Sequence, residues 1–163
     1  MYKRQVAING NPPGSYDTLK ALSEVTIQAE VRDENDMLLT SFSGLAIPSV
    51  YDKVSDLSTR ANDPDTDIFT YQAQQNLLFK GQSSVNNGQF TFSFIVPKDI
   101  NYAIGEGKLS YYASPNTGIM DAAGHDQSVL IGGTSANPVV DNEGPQVDVF
   151  MNDASFQFGG LTD

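Results

Sequence analysis

Leu77-Leu78-Phe79-Lys80-Gly81-Gln82-Ser83-Ser84-Val85-Asn86-Asn87-Gly88-Gln89-Phe90-Thr91-Phe92-Ser93-Phe94-Ile95-Val96-Pro97 decides the fold class. Phe90, Phe92, Phe94 and Val96 occupy every second position, with Gln89, Thr91, Ser93 and Ile95 between them. Side chains on a strand alternate between faces, so this pattern predicts one face on a core and the other toward water. Asn87-Gly88 stands just before the alternation, and Asn-Gly readily takes the positive φ angles of a tight hairpin turn. Leu77–Val85 is the partner strand. Pro97 lacks a backbone donor and ends the ladder.

The same period recurs outward in both directions. Val25, Ile27, Ala29 and Val31 alternate with Thr26, Gln28 and Glu30, and Asp33-Glu34-Asn35-Asp36 closes that strand as a turn. Further strands are expected at Gln5–Ile8, Gly44–Tyr51, Lys108–Ala113, Gln127–Ile131 and Gln146–Met151, each flanked by Gly, Pro, Asn or Asp. Lys98–Tyr102 reads as a loop or short helical turn. Asp52–Tyr71 is polar, lacks a clear period and reads as a long connection. About seven or eight short strands without helical periodicity predict an all-β, immunoglobulin-like sandwich. The Cys and Trp of antibody domains are absent, and strand order cannot be read from periodicity.

The chain has 163 residues, enough for one domain with a disulfide-free core. The domain is expected over residues 1–140. Gly144-Pro145 then opens a linker into Val147, Val149 and Met151, so 141–163 is either a last strand or the start of a following domain. Met1-Tyr2-Lys3-Arg4 is basic, but no apolar stretch follows it, so a signal peptide for an exported parent is expected upstream. No apolar run approaches the roughly 20 residues of a spanning helix.

Composition removes several functions. There is no Cys, which excludes thiol catalysis, thiolate metal sites and disulfides within the chain. Twenty acidic residues face nine basic ones, a net charge of −11, and no basic cluster is present to displace counterions from phosphates. Nucleic acid is therefore not an expected partner.

Three groups are candidates for chemistry. Asp63, Asp65 and Asp67 have the alternate oxygen spacing of a calcium loop, but Ile68 and Gln74 stand where an EF-hand requires Gly and Glu, and Pro64 intrudes. A solvated acidic turn is the expectation there. Asp121–Asp126 reads as a second acidic turn; His125 beside Asp126 has the composition of an oriented base, without a nucleophile or oxyanion site. Tyr111-Tyr112 on one strand places one ring inward and one outward, the latter a possible half of a sugar-stacking platform. No catalytic residue, cofactor or metal is assigned from these patterns. A cell-surface adhesive or carbohydrate-binding module is the alternative function.

Several stretches carry a more specific likeness. They are Asp17–Ser23, Leu78–Gly81, Phe94–Tyr102, Gly107–Ala113, Ile131–Gly133, Asp141–Pro145 and Met151–Asp153. In this order and spacing they resemble the region downstream of the peptidase domain in the gingipain-type cysteine peptidases that serve as sortases of type IX secretion in Bacteroidetes. The likeness spans most of Asp17–Asp163 and is weakest over Asp52–Gln75. It implies a parent that cleaves C-terminal sorting domains from cargo at the outer-membrane surface and attaches the cargo there. The Cys–His dyad of that chemistry has no counterpart in this sequence. The resemblance implies a non-catalytic scaffolding or docking domain on the extracellular face of the outer membrane. Its expected partners are its own upstream peptidase domain, outer-membrane secretion components and cargo sorting domains.

Overall fold

A computed structural model describes residues 2–14, 18–63, 65–117 and 120–140, with side chains described from Val6 onward. The described residues form thirteen strands and no helix. They are β1 (Tyr2–Ile8), β2 (Leu19–Ala21), β3 (Glu24–Arg32), β4 (Gly44–Tyr51), β5 (Ser55–Ser58), β6 (Thr70–Ala73), β7 (Leu77–Lys80), β8 (Ser83–Val85), β9 (Gln89–Ile95), β10 (Gly105–Glu106), β11 (Lys108–Pro115), β12 (Ala122–Asp126) and β13 (Leu130–Thr134).

Eight of these make one sheet in the order β7-β4-β11-β12-β1-β3-β9, with β8 also paired to β4. The sheet bends back on itself. Phe79 of β7, at one end of the order, stacks on Phe92 and Phe94 of β9, at the other end. Tyr111 of β11 meets Phe90 and Phe92 of β9 edge-on. The two layers are therefore β1-β3-β9 and β12-β11-β4 with β7 and β8. Lettered along the chain, the first layer has the A-B-E order of an immunoglobulin-type sandwich and the second the G-F-C order. A parallel contact between Tyr2 and Ala123 joins the layers at β1 and β12.

The alternation places the core. Val25, Ile27, Ala29 and Val31 of β3 and Phe90, Phe92 and Phe94 of β9 are buried, as are Ala46 and Val50 of β4 and Leu109, Tyr111 and Ala113 of β11. The predicted hairpin joins β8 to β9. Asn86 and Gln89 exchange backbone hydrogen bonds of 2.9 Å around Asn87 (φ 50°) and Gly88 (φ 77°), the two positive φ angles of a type I′ turn. Gly88 donates to the carbonyl of Phe42 at 2.8 Å, so the turn is fastened to the β3–β4 connection.

A three-stranded sheet, β10-β13-β2, stands where β3 and β11 begin and β4 and β9 end. Leu19, Ala21 and Ile131 are buried in it. Hydrogen bonds from Leu22 to Val96 and from Gly107 to Val129 tie it to the sandwich, and Ser135 and Val139 donate to the carbonyls of Ala21 and Leu22.

Four expectations are corrected. Asp52–Tyr71 is not an irregular connection but carries β5 and most of a hairpin with β6. Asp121–Asp126 is not a turn; Ala122–Asp126 is strand β12, held by its antiparallel ladder to β11. The strand placed at Gln127–Ile131 begins at Leu130 instead, because Asp126 accepts from the Ser128 backbone in a turn. The partner strand Leu77–Val85 is broken into β7 and β8 around Gly81. The strand expected at Gln146–Met151 and the linker before it lie outside the described residues.

Candidate functional site

The residues singled out by sequence fall on separate parts of the fold. Asp63, Asp65 and Asp67 lie in the exposed connection of the β5–β6 hairpin. There Thr66 donates through both its backbone and its hydroxyl to the carbonyl of Asp63, at 3.2 and 2.8 Å, which is turn chemistry. Among the described residues no three His, Cys, Asp or Glu side chains gather as a metal-binding group.

His125 is exposed on β12 and opposite Ser110 of β11. The Asp126 carboxylate accepts from the backbone and hydroxyl of Ser128, both at 2.6 Å. Those bonds orient a turn, not the imidazole. Tyr111 and Tyr112 divide as alternation requires: Tyr111 is buried against the Phe rings, and Tyr112 is exposed. The Tyr112 hydroxyl donates to the Asp121 carboxylate. That hydrogen bond, with some desolvation and the nearby negative charge, raises the phenol above its ordinary pKa.

Sequence reasoning missed a buried polar cluster at the end of β4. Asp52 is buried, and its Oδ1 accepts from the Lys53 backbone at 2.8 Å and the Lys53 ammonium at 2.7 Å. Its Oδ2 faces the backbone N–H of Asn101 at 3.3 Å and the amide of Asn76 at 3.4 Å. The ammonium also donates to the carbonyls of Asn101, at 2.8 Å, and Ile131, at 3.1 Å. Desolvation is the largest influence on the carboxyl and acts to raise its pKa. The bonds and charge from Lys53 and the Asn101 N–H together outweigh it, and the net shift is downward. The cluster locks β4, the β6–β7 and β9–β10 connections and β13 to one another. The Asp52 carboxylate and the Lys53 ammonium are each taken up by these bonds, so the chemistry of the pair is structural.

A second feature is also new. Ile68, Phe69 and Tyr71 in and beside β6 are 69%, 65% and 44% exposed, and the Phe69 and Tyr71 rings stack at 6.5 Å. Contiguous exposed apolar surface, unlike single scattered residues, is a mark of contact sites. The signal was in the sequence: Phe69, Tyr71 and Ala73 alternate with Thr70 and Gln72. An open, largely apolar groove runs between Leu22, Ile95, Pro97 and Val139.

The arrangement thus offers surfaces for contact and no assembled nucleophile, base and oxyanion site among the described residues. No family model and no curated protein matches the chain. Among solved structures, dimeric latent PorU from Porphyromonas gingivalis matches 96% of the chain at 31% identity with a TM-score of 0.73. The chain spans 15% of the length of that PorU chain. Spo0M, a sporulation control protein from Bacillus subtilis, matches 80% of the chain and 49% of its own length at 15% identity. Its TM-score of 0.44 is too low to establish a common fold.

Proposed function

We propose that this chain is an accessory, non-catalytic domain of a PorU-like protein, a surface-exposed gingipain-type cysteine peptidase that acts as a sortase of type IX secretion. The observation that carries the reading is the match to part of PorU, 96% of this chain against 15% of that one. A sandwich that corresponds to so small a share of a larger protein is most simply one of its domains.

Within such a protein the domain's role is docking. The chain contains no Cys, so a Cys–His dyad has to be supplied by another part of the polypeptide. What the sandwich contributes is a rigid frame and exposed apolar surface. Its partners in this reading are the peptidase domain of the same polypeptide, cargo sorting domains and outer-membrane secretion components, and its location is the outer face of the outer membrane.

Two observations test the proposal. The coding sequence upstream of Met1 should encode a gingipain-like domain with its Cys–His pair; a different domain there would refute the parentage. Removing the region from the full protein should leave cargo with uncleaved sorting signals and impaired surface attachment. Normal processing in that strain would refute the docking role.

A further inference from the structure

The β5–β6 hairpin is a two-sided element with one side unmatched. Its register pairs Ser55 with Ala73, Asp56 with Gln72, Leu57 with Tyr71 and Ser58 with Thr70. One further pair continues the ladder, since the Thr59 backbone donates to the Phe69 carbonyl and the Phe69 backbone donates to the Thr59 hydroxyl, both at 2.9 Å. Alternation then places Leu57, Phe69, Tyr71 and Ala73 on one face and Asp56, Ser58, Thr70 and Gln72 on the other.

The polar face satisfies itself. Gln72 donates to Asp56 at 3.1 Å, and the Ser58 and Thr70 hydroxyls meet at 3.3 Å. The apolar face carries the stacked pair Phe69 and Tyr71, still 65% and 44% exposed. β5 and β6 form a sheet of their own, paired only with each other. A two-stranded hairpin is marginal in water unless another layer covers its apolar side, and antiparallel sheets normally bury one face.

The charge around this face selects what covers it. Residues 54–73 contain Asp56, Asp63, Asp65 and Asp67 against Arg60 alone. Two copies of the hairpin brought face to face would bring like charges together on chains that each carry −11. An anionic lipid surface would repel it for the same reason. We propose that the apolar face of the β5–β6 hairpin, through Leu57, Phe69 and Tyr71, docks into an apolar groove bordered by Lys and Arg on a protein partner. This rests on the docking reading above and names the element that performs it. Apolar contact supplies the affinity, while the acidic connection supplies orientation and encounter rate.

The test uses the 163-residue chain, ¹⁵N-labelled, and two synthetic amphipathic hairpin peptides with the same Leu/Val face, one flanked by Lys and one by Glu. Amide shifts confined to the β5–β6 hairpin are expected with the Lys-flanked peptide, weakening as salt screens the charges. The Phe69→Ser/Tyr71→Ser variant should bind at least tenfold more weakly. Because that variant risks unfolding the hairpin, a second one, Asp63→Lys/Asp65→Lys/Asp67→Lys, leaves the apolar face intact and should reverse the preference toward the Glu-flanked peptide. Equal binding of both peptides, no response to either, self-association through the hairpin, or equivalent binding to phosphatidylcholine vesicles would each overturn the proposal. If the peptides fail while deletion of the whole domain still blocks cargo processing, the hairpin is excluded and the domain-level role survives.

Discussion

Phe79 on β7 stacks on Phe94 on β9, with ring centroids 4.7 Å apart and 19° between planes. These strands lie at opposite ends of the sheet order, so this contact closes the sandwich. Phe92 lies at the centre of the same stack, 5.6 Å from Phe79 and 6.3 Å from Tyr111. Phe92→Ala should therefore lower stability by about 3–5 kcal/mol. Thr91→Ala, on the exposed face of the same strand, should change it by less than about 0.5 kcal/mol. Chemical denaturation of the two variants measures the difference.

Gly88 and Gly10 both have positive φ, 77° and 79°, but differ in surroundings. A Cβ on Gly88 would lie 2.5 Å from the carbonyl oxygen of Leu39, whereas one on Gly10 would meet nothing within 4 Å. Gly88→Ala should cost clearly more than about 1 kcal/mol, strain and clash together, and Gly10→Ala only the strain of its φ. Equal losses in thermal melts would contradict the close approach of the hairpin turn to the β3–β4 connection.

The buried Asp52 gives a pH signature. Its carboxyl pKa is lower folded than unfolded, where it is about 3.9. A depressed carboxyl contributes stability that is present above the unfolded pKa and is lost as pH falls through the folded one. Stability should thus decline below about pH 4 in the parent chain, and Asp52→Asn should flatten that decline. At neutral pH Asp52→Ala should cost about 3 kcal/mol, because Lys53 is left as a largely buried charge without its carboxylate.

Tyr112 provides a surface counterpart. Its hydrogen bond to Asp121 holds the proton on the phenol. In alkaline difference spectra, the component removed by Tyr112→Phe should titrate above the ordinary tyrosine range of about 10. Asp121→Asn should move that component downward. No movement would mean that the two side chains are apart in solution.

Much of the core was legible before the structure. Val25–Val31 and Phe90–Phe94 alternate, and every apolar residue of those two sets is buried. The layer order was not legible, because periodicity is local and the pairing of β3 with both β1 and β9 is not. β12 was hidden for a related reason: Ala122-Ala123-Gly124-His125-Asp126 has little intrinsic strand preference, and its ladder to β11 imposes the conformation. β5 and β6 were missed because the acidic connection between them dominated the segment's composition. Asp52-Lys53 resembled any solvated pair of neighbours. Only folding brings Asn76, Asn101 and Ile131 around it.

In the proposed function the sandwich serves recognition, and bond cleavage is carried by another part of the polypeptide. The direct measurement takes the PorU-like parent that this reading requires and compares its full-length form with one lacking residues 18–140, each assayed on a short fluorogenic peptide and on an intact cargo protein. Similar turnover of the peptide by both forms is expected, with at least a tenfold loss of cargo processing by the shortened one. An equal fall on both substrates, or no fall on either, would contradict it.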